Sequence, residues 1–357
     1  MGAQGMKKFV LGILLGFAVL MASAATIPRQ PASEDENPSH VRSRITIYNI
    51  ETRTAQVIYK DDNLWEAPNW SPDGKYLLAN SGGALYRIPV PGDTITPEEP
   101  PLAHAPLSGK QPKPRKLTLP DAYRCNNDKS ISRDGKRLAF SATYADSKGS
   151  QVFVALADGA NPRLMTPQEP SYFHGWSPDG DWLAFVAARG ASAEGAGGPL
   201  FHIFRMPAAG GKEEQLTSQP VLDDGPDYSP DGKWIYFNSK RVDGWDIWRM
   251  PADGAGANDA KAERVTSDEM EDWFPHPSPD GKWMVFLSFP HGTPGHNVKT
   301  NVELRMIPLP SSAPGLKPVN EGIAVLAKFY GGQGTINVNS WSPDSKKFAY
   351  VSYERLP

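Results

Sequence analysis

The chain has 357 residues, of which 39% are hydrophobic and 22% charged, enough for one large or two ordinary domains. Its formal charge of −3, with no cluster of lysine or arginine, argues against an electrostatic nucleic-acid binder. The single cysteine, Cys125, excludes an internal disulfide, while 35 prolines, 33 glycines and 10 tryptophans point to many turns between short, aromatic-rich strands.

At the start of the chain, Lys7 and Lys8 precede the apolar run Phe9–Ala22, and Ala22-Ser23-Ala24 fits a small-residue cleavage site. This predicts a signal peptide over residues 1–24, cleaved after Ala24, then a flexible linker over 25–42 and a folded domain over 43–357. Losing Lys7 and Lys8 takes the formal charge from −3 to −5. The apolar run is shorter than the ~18–20 residues a spanning helix needs, and no other run approaches it. The mature chain is therefore expected to lack a transmembrane segment, to be periplasmic or secreted, and to be a monomer.

From Asn69 onward one sentence recurs six times: "NWSPDGKYLLA", "SISRDGKRLAF", "GWSPDGDWLAF", "DYSPDGKWIYF", "HPSPDGKWMVF" and "SWSPDSKKFAY". The turn serines are Ser71, Ser132, Ser177, Ser229, Ser278 and Ser342, spaced 61, 45, 52, 49 and 64 apart. A unit of roughly 40–50 residues, lengthened by loop insertions, is the signature of a propeller blade. Proline sets φ at the second turn position, aspartate bonds the backbone ahead, and glycine takes the left-handed conformation that closes a hairpin. Arg133 replaces the proline and Ser345 the glycine in one copy each. After every turn comes an aromatic-rich strand, then a second strand such as "HIFRMPA" or "DIWRMPA", then a short one such as "EEQLTS" or "AERVTS". Naming the strands A to D outward from the axis, the turn joins A to B.

"RITIYNIETRTAQVIYK" (Arg44–Lys60) reads as strands C and D without A and B, and "INVNSWSPDSKKFAYVSYE" as A and B without C and D. Pairing them removes the open edge of an incomplete ring. The expected fold is all-β: a six-bladed β-propeller of four-stranded antiparallel blades, its last blade closed two-plus-two by the N-terminal strands. Trp182, Trp234 and Trp283 just after the turn, and Trp70, Trp176 and Trp341 just before it, read as packing between blades rather than a sugar platform.

Antiparallel blades sort their loops onto two faces. The insertion Pro91–Pro114, "ADGAGANDAKAE" and the stretch after Leu309 are C–D loops and share a face with the turns. The opposite face takes the D–A segments, which contain Trp65-Glu66, Asn126-Asn127-Asp128, Tyr172-Phe173-His174, Leu222–Asp227, Glu269–His276 and Gly331–Asn337. It also takes the B–C loops "RGASAEGAGGP" and "FPHGTPGHNVKTN". His174, Asp223, Asp224, Asp272, His276, Gln333 and Asn337 are the candidate ligand- or partner-binding residues there. Histidines and carboxylates converging on one mouth could also hold a divalent metal (Mn, Ca or Zn) through His174, His276, His291 and His296, though none has compact ligand spacing. There is no GxSxG elbow, P-loop or dinucleotide fingerprint, and no catalytic residue can be named.

The repeated WSPDGK turn, aromatic strand and Leu-Thr ending resemble the repeats of the TolB-like propellers, also called WD40-like or PD40 repeats, over about Arg44 to Glu354. That resemblance implies an exported module that binds a protein or cell-envelope component through its loop-rich channel face. The chain departs from TolB itself in leaving only about 20 residues between the signal peptide and the first strand, where TolB carries a further α/β domain. Oligogalacturonate lyases carry similar repeats with a histidine-rich metal site. The alternative expectation from them is a metal-assisted enzyme, a lyase or hydrolase on acidic oligosaccharides.

Overall fold

The computed structural model describes residues 41–91, 111–190 and 200–356. The predicted signal peptide, most of the predicted linker, residues 92–110 of the proline-rich insertion and residues 191–199 of the glycine-rich loop lie outside the described residues. The last two positions assigned to the linker already belong to the first strand.

In chain order, β1 (Val41–Asn49) and β2 (Thr54–Asp61) come first. Blade one is β3 (Trp65–Trp70), β4 (Tyr76–Ser81), β5 (Ala84–Pro89) and β6 (Arg115–Lys116). Blade two is β7 (Tyr123–Ile131), β8 (Arg137–Tyr144), β9 (Gln151–Leu156) and β10 (Arg163–Leu164). Blade three is β11 (Ser171–Trp176), β12 (Trp182–Ala188), β13 (Phe201–Pro207) and β14 (Glu214–Gln215). Blade four is β15 (Asp223–Tyr228), β16 (Trp234–Val242), β17 (Gly244–Pro251) and β18 (Glu263–Arg264). Blade five is β19 (Glu271–Pro277), β20 (Trp283–Phe289), β21 (Lys299–Pro308) and β22 (Ala324–Gly332). The last strand, β23 (Lys347–Arg355), pairs antiparallel with β1 from Val41 against Arg355 to Asn49 against Lys347, and β2 lies outside β1. The ring is therefore closed by its two ends. Thr335–Trp341 occupies the innermost place of this sixth blade. It meets β23 through a bridge between Trp341 and Phe348 and the Ala349 N–H to Ser340 carbonyl bond, without forming a regular strand.

The burial of each strand follows from its place in the stack. Middle strands are covered on both faces by neighbouring blades, so β12 "WLAFVAA" and β20 "WMVFLSF" are buried almost throughout, without alternation. The outermost β6, β10 and β14 are two residues long and exposed. The apolar clusters lie between blades; Leu183 and Phe185 of blade three pack with Ala139 and Val152 of blade two.

Each turn is held by its serine. Ser71, Ser132, Ser177, Ser229, Ser278 and Ser342 all donate to the aspartate two residues on, at 2.5–2.7 Å. The aspartate in turn accepts a backbone N–H, as from Lys75 at 3.1 Å. Ser345 takes the left-handed conformation (φ +60°) that the other copies give to glycine, and its hydroxyl accepts the Asp280 N–H of blade five at 2.9 Å.

The aromatics after the turn carry an arginine from strand C: Arg87 over Tyr76 (4.8 Å), Arg205 over Trp182 (4.3 Å) and Arg249 over Trp234 (4.0 Å). Each guanidinium then donates to a carbonyl of the next blade: Ala157, Ala252 and Ser311, respectively. These rings are structural, as their fixed register in the repeat implies.

Candidate functional site

Strand A of blades one to five breaks register with strand B: between Glu66 and Asn69, Cys125 and Lys129, Phe173 and Gly175, Asp224 and Asp227, and Trp273 and His276. A β-bulge re-aims the side chains that follow it. In blades one, four and five the residue before a proline is the left-handed one: Ala67 (φ +44°), Gly225 (φ +61°) and Phe274 (φ +57°). The position five residues before each turn serine holds Glu66, Asn127, Tyr172, Asp224, Trp273 and Asn337. All six line one cavity of about 610 Å³ at the loop face. The repeat thus places one side chain per blade around a common mouth.

Asp224 sits at its centre of charge. Its carboxylate is 3.2 Å from His174 Nε2 and 3.6 Å from His296 Nδ1, and it accepts the Gly225 N–H at 2.7 Å. Burial works against its charge, but the hydrogen bond from His174 and the nearby His296 hold its pKa below the ordinary 3.8. Burial likewise works against a charged His174; the bond to Asp224 and the charges of Asp128 and Asp224 outweigh it and raise the imidazole above 6.5. His174 Nδ1 lies 3.3 Å from the Asn337 carbonyl, so both ring nitrogens face acceptors. Burial pushes His296 down, with Asp224 pulling against it. His296 packs edge-on to Phe274 (5.1 Å) and beside Trp273 (4.5 Å), and Trp273 meets Trp245 at 4.0 Å, which makes an aromatic wall.

Asp128 faces the same cavity. Burial pushes its carboxyl up to about 7, His174 and Lys129 opposing and Asp224 and Glu66 adding to the rise. Beside it, the ammonium of the fully buried Lys129 donates towards the carbonyls of Glu66 (3.2 Å), Ala67 (2.5 Å) and Asn127 (3.3 Å) and to Asn80 Oδ1 (2.9 Å). Burial lowers that ammonium's pKa to about 7, against Glu66 and Asp128. Cys125, also buried, has its thiol pushed up to about 12, which removes it as a nucleophile at neutral pH.

Of the candidate residues, His174, Asp224, His296, Gln333 and Asn337 line this cavity. Gln333 Oε1 accepts from Asn337 Nδ2 at 3.1 Å. Asp223 reaches its wall, but its carboxylate is held by Arg241 at 2.6 and 3.2 Å. Asp272 is fully buried behind the mouth, where it accepts from Ser288 at 2.6 Å and pairs with Arg305 at 3.5 Å. His276 is locked between blades by Asp227 (3.0 Å) and the Ile336 carbonyl (2.5 Å). His291, 67% exposed, sits 3.5 Å from Glu271. Of the four candidate metal ligands the structure therefore brings His174 and His296 together beside Asp224, and leaves His276 and His291 apart from them. Among the described residues no group of three or more His, Cys, Asp or Glu is arranged to hold a metal ion. Asp128, Tyr172, Trp245 and Trp273 were legible only as members of the loop face or not at all; aligning the copies on the turn serine singles out Tyr172 and Trp273.

The channel's other end has the same regularity. A cavity of about 340 Å³ is lined by the residue after each turn serine: Pro72, Arg133, Pro178, Pro230, Pro279 and Pro343. His174 is the residue that lines both cavities and so stands between them.

The family model described as the TolB beta propeller domain matches residues 130–307. An uncharacterized protein of Agrobacterium fabrum is 40% identical over 313 residues, which is 88% of this chain and 93% of that protein. A solved structure of a candidate TolB from Agrobacterium tumefaciens is 39% identical with a TM-score of 0.74, covering 88% of this chain and 99% of that one. The Tol-Pal system protein TolB of Bordetella pertussis is 28% identical over 228 residues, 52% of this chain but only 49% of that protein. With relatives 39–40% identical aligned along nearly their whole length, and six blades closed by the chain's own ends, the chain belongs to the TolB-like β-propeller family.

Proposed function

We propose that the chain is an exported binding module that holds a protein or cell-envelope component in the periplasm by its loop-face mouth. The observation that supports this is the cavity of about 610 Å³ to which every blade contributes one side chain from the same repeat position. Its size lies within the ~300–1,000 Å³ of ordinary ligand pockets, and its wall combines aromatic faces with a few convergent polar groups on a rigid ring. The similarity to TolB and the expected signal peptide support the envelope as its setting. Among the described residues no helix is long and apolar enough to cross a membrane. An enzyme on acidic sugars finds less support, because Glu66, Asp128 and Asp224 would repel a uronate and no lysine or arginine lines the cavity among the described residues.

The test is crosslinked capture from envelope extract. Wild type, Tyr172→Ala at the loop face and Arg133→Ala at the turn face are compared after their melting curves have been matched. A discrete partner held by wild type and Arg133→Ala but lost by Tyr172→Ala is the expected result. Capture that survives Tyr172→Ala and fails with Arg133→Ala would place binding on the wrong face.

A further inference from the structure

The mouth also suggests what it takes. Three of its four carboxylates have donors within the protein: Glu66 from Asn80 Nδ2 (2.8 Å), Asp223 from Arg241, and Asp224 from His174 and the Gly225 N–H. The fourth, Asp128, is only 5% exposed, and no described donor reaches its carboxyl oxygens; the bond at this residue is from its own N–H to Asn126 Oδ1 at 3.0 Å. The adjoining Lys129 ammonium is already directed at four other acceptors. A carboxyl that opens onto a cavity and meets no protein donor depends for its partner on what enters that space. In front of it lies open space, and the same space is walled by Trp245, Trp273, Phe201 and Tyr172. Carboxylate and aromatic faces around one cavity suit an organic cation, whose charge meets the acceptor and whose stem lies on the rings.

We propose that this cavity is an alkylammonium pocket, in which a lysine-like chain enters from the loop face, sets its ammonium against Asp128 and lays its methylenes along the Trp245–Trp273 wall. The proposal rests on the reading of the mouth as the binding surface and adds the chemistry of what is bound. The ammonium belongs either to a lysine of a protein partner or to a free diamine, which share this chemistry. A neutral chain of the same length leaves Asp128 unsatisfied, and an acidic sugar meets three carboxylates. Cation binding also ionises Asp128, so it releases protons at pH 6 and few at pH 8. The neighbouring His174, Asp224, Glu66, Lys129 and Tyr172 bear on that carboxyl and are present in both states.

The test is calorimetry on the full exported chain with four probes: Nα-acetyl-lysine methylamide, cadaverine, Nα-acetyl-norleucine methylamide and galacturonate. Each is titrated at pH 6 and 8 in buffers of different ionisation enthalpy. Both amines should bind, at least about tenfold more tightly than the norleucine analogue, with proton release at pH 6. Asp128→Asn, which keeps the side-chain shape, should lose about tenfold or more in amine affinity, while Asp253→Asn on the opposite face should lose none. A preference for the lysine derivative points to a protein lysine, and a preference for cadaverine to a free diamine. No amine binding up to about 10 mM, equal binding of the norleucine analogue, or unchanged binding by Asp128→Asn overturns the proposal. If no amine binds yet envelope capture still depends on Tyr172, the pocket assignment falls and the binding-module reading stands. If amines bind and capture ignores Tyr172, the reverse holds.

Discussion

Asp128→Asn should make the protein more stable in neutral and alkaline solution while leaving its stability in acid nearly unchanged. The carboxyl ordinarily titrates near 3.8, and in the fold it titrates near 7, chiefly through burial. Between those two values the native protein carries a proton that the unfolded chain has lost. Native stability therefore falls as pH rises from about 4 to about 7, and the full cost stands above 7. At ~1.4 kcal/mol per pH unit the displacement converts to about 4 kcal/mol, an upper bound because the site can relax or admit water when the carboxyl ionises. Asparagine removes the ionisation and keeps the shape, and Asp224 remains to hold the proton on His174. Urea melts of wild type and variant at intervals from pH 4 to 8 measure the difference directly. The curves should coincide near pH 4 and separate steadily up to pH 7, with the variant above. A gap that does not change with pH, or one that favours wild type at pH 8, would refute the claim that a desolvated carboxyl faces this cavity.

Lys129→Met should cost roughly 3 kcal/mol or more in urea melts, because three carbonyls and Asn80 Oδ1 lose their donor in a site closed to water; a loss within experimental error would mean the ammonium organises nothing. Gly225→Ala should cost about 1–3 kcal/mol, since φ is +61° there and the new Cβ would come 2.5 Å from Asn238 Oδ1. The Phe274 N–H, which Asn238 accepts at 3.1 Å, should then exchange faster with deuterium. His174→Gln should destabilise the protein most below pH 6.5 and progressively less above it. A histidine whose pKa is raised contributes its stability while protonated and loses it as pH climbs through the folded value. Thermal melts at pH 5.5 and 8 in parallel decide this, and a larger loss at pH 8 would contradict the pairing with Asp224.

The ring was readable because its cause is local and repeated. Proline, aspartate and glycine set the hairpin in a four-residue window, so the turns could be found without knowing what they pack against. The ring closure followed from two incomplete blades at the chain ends. The sixth inner segment did not follow so closely. There β22 ends at Gly332, Gln333 and Gly334 come next, and Thr335–Trp341 reaches the axis with a single bridge instead of a ladder. The site was less readable for a different reason. Alternation along a strand tells which side chains share a face only while the register holds, and strand A loses register just where it reaches the mouth. His276 sits two residues before its turn serine and points between blades at Asp227, whereas Trp273, five before it, reaches the cavity. The register shift falls between the two, so alternation counted from one does not carry across to the other. Histidine drew attention by its chemistry, yet the unpartnered carboxyl of Asp128 depends on what the fold fails to bring near it.

Six copies in one chain offer an internal comparison of what each position is for. The serine–aspartate pair of the turn is present in every copy and makes the same bond in every copy. The position five residues earlier holds glutamate, asparagine, tyrosine, aspartate, tryptophan and asparagine. If that position served the scaffold, equivalent geometry would favour equivalent residues, as it does at the turn. Its variety suits the proposed role: the six side chains meet around one cavity, where an asymmetric ligand would present a different surface to each. The ring of turn prolines at the opposite end is nearly uniform, broken only by Arg133, so it resembles scaffold rather than site. The contrast between a varied ring and a uniform one supports the proposed recognition at the loop face independently of any pKa.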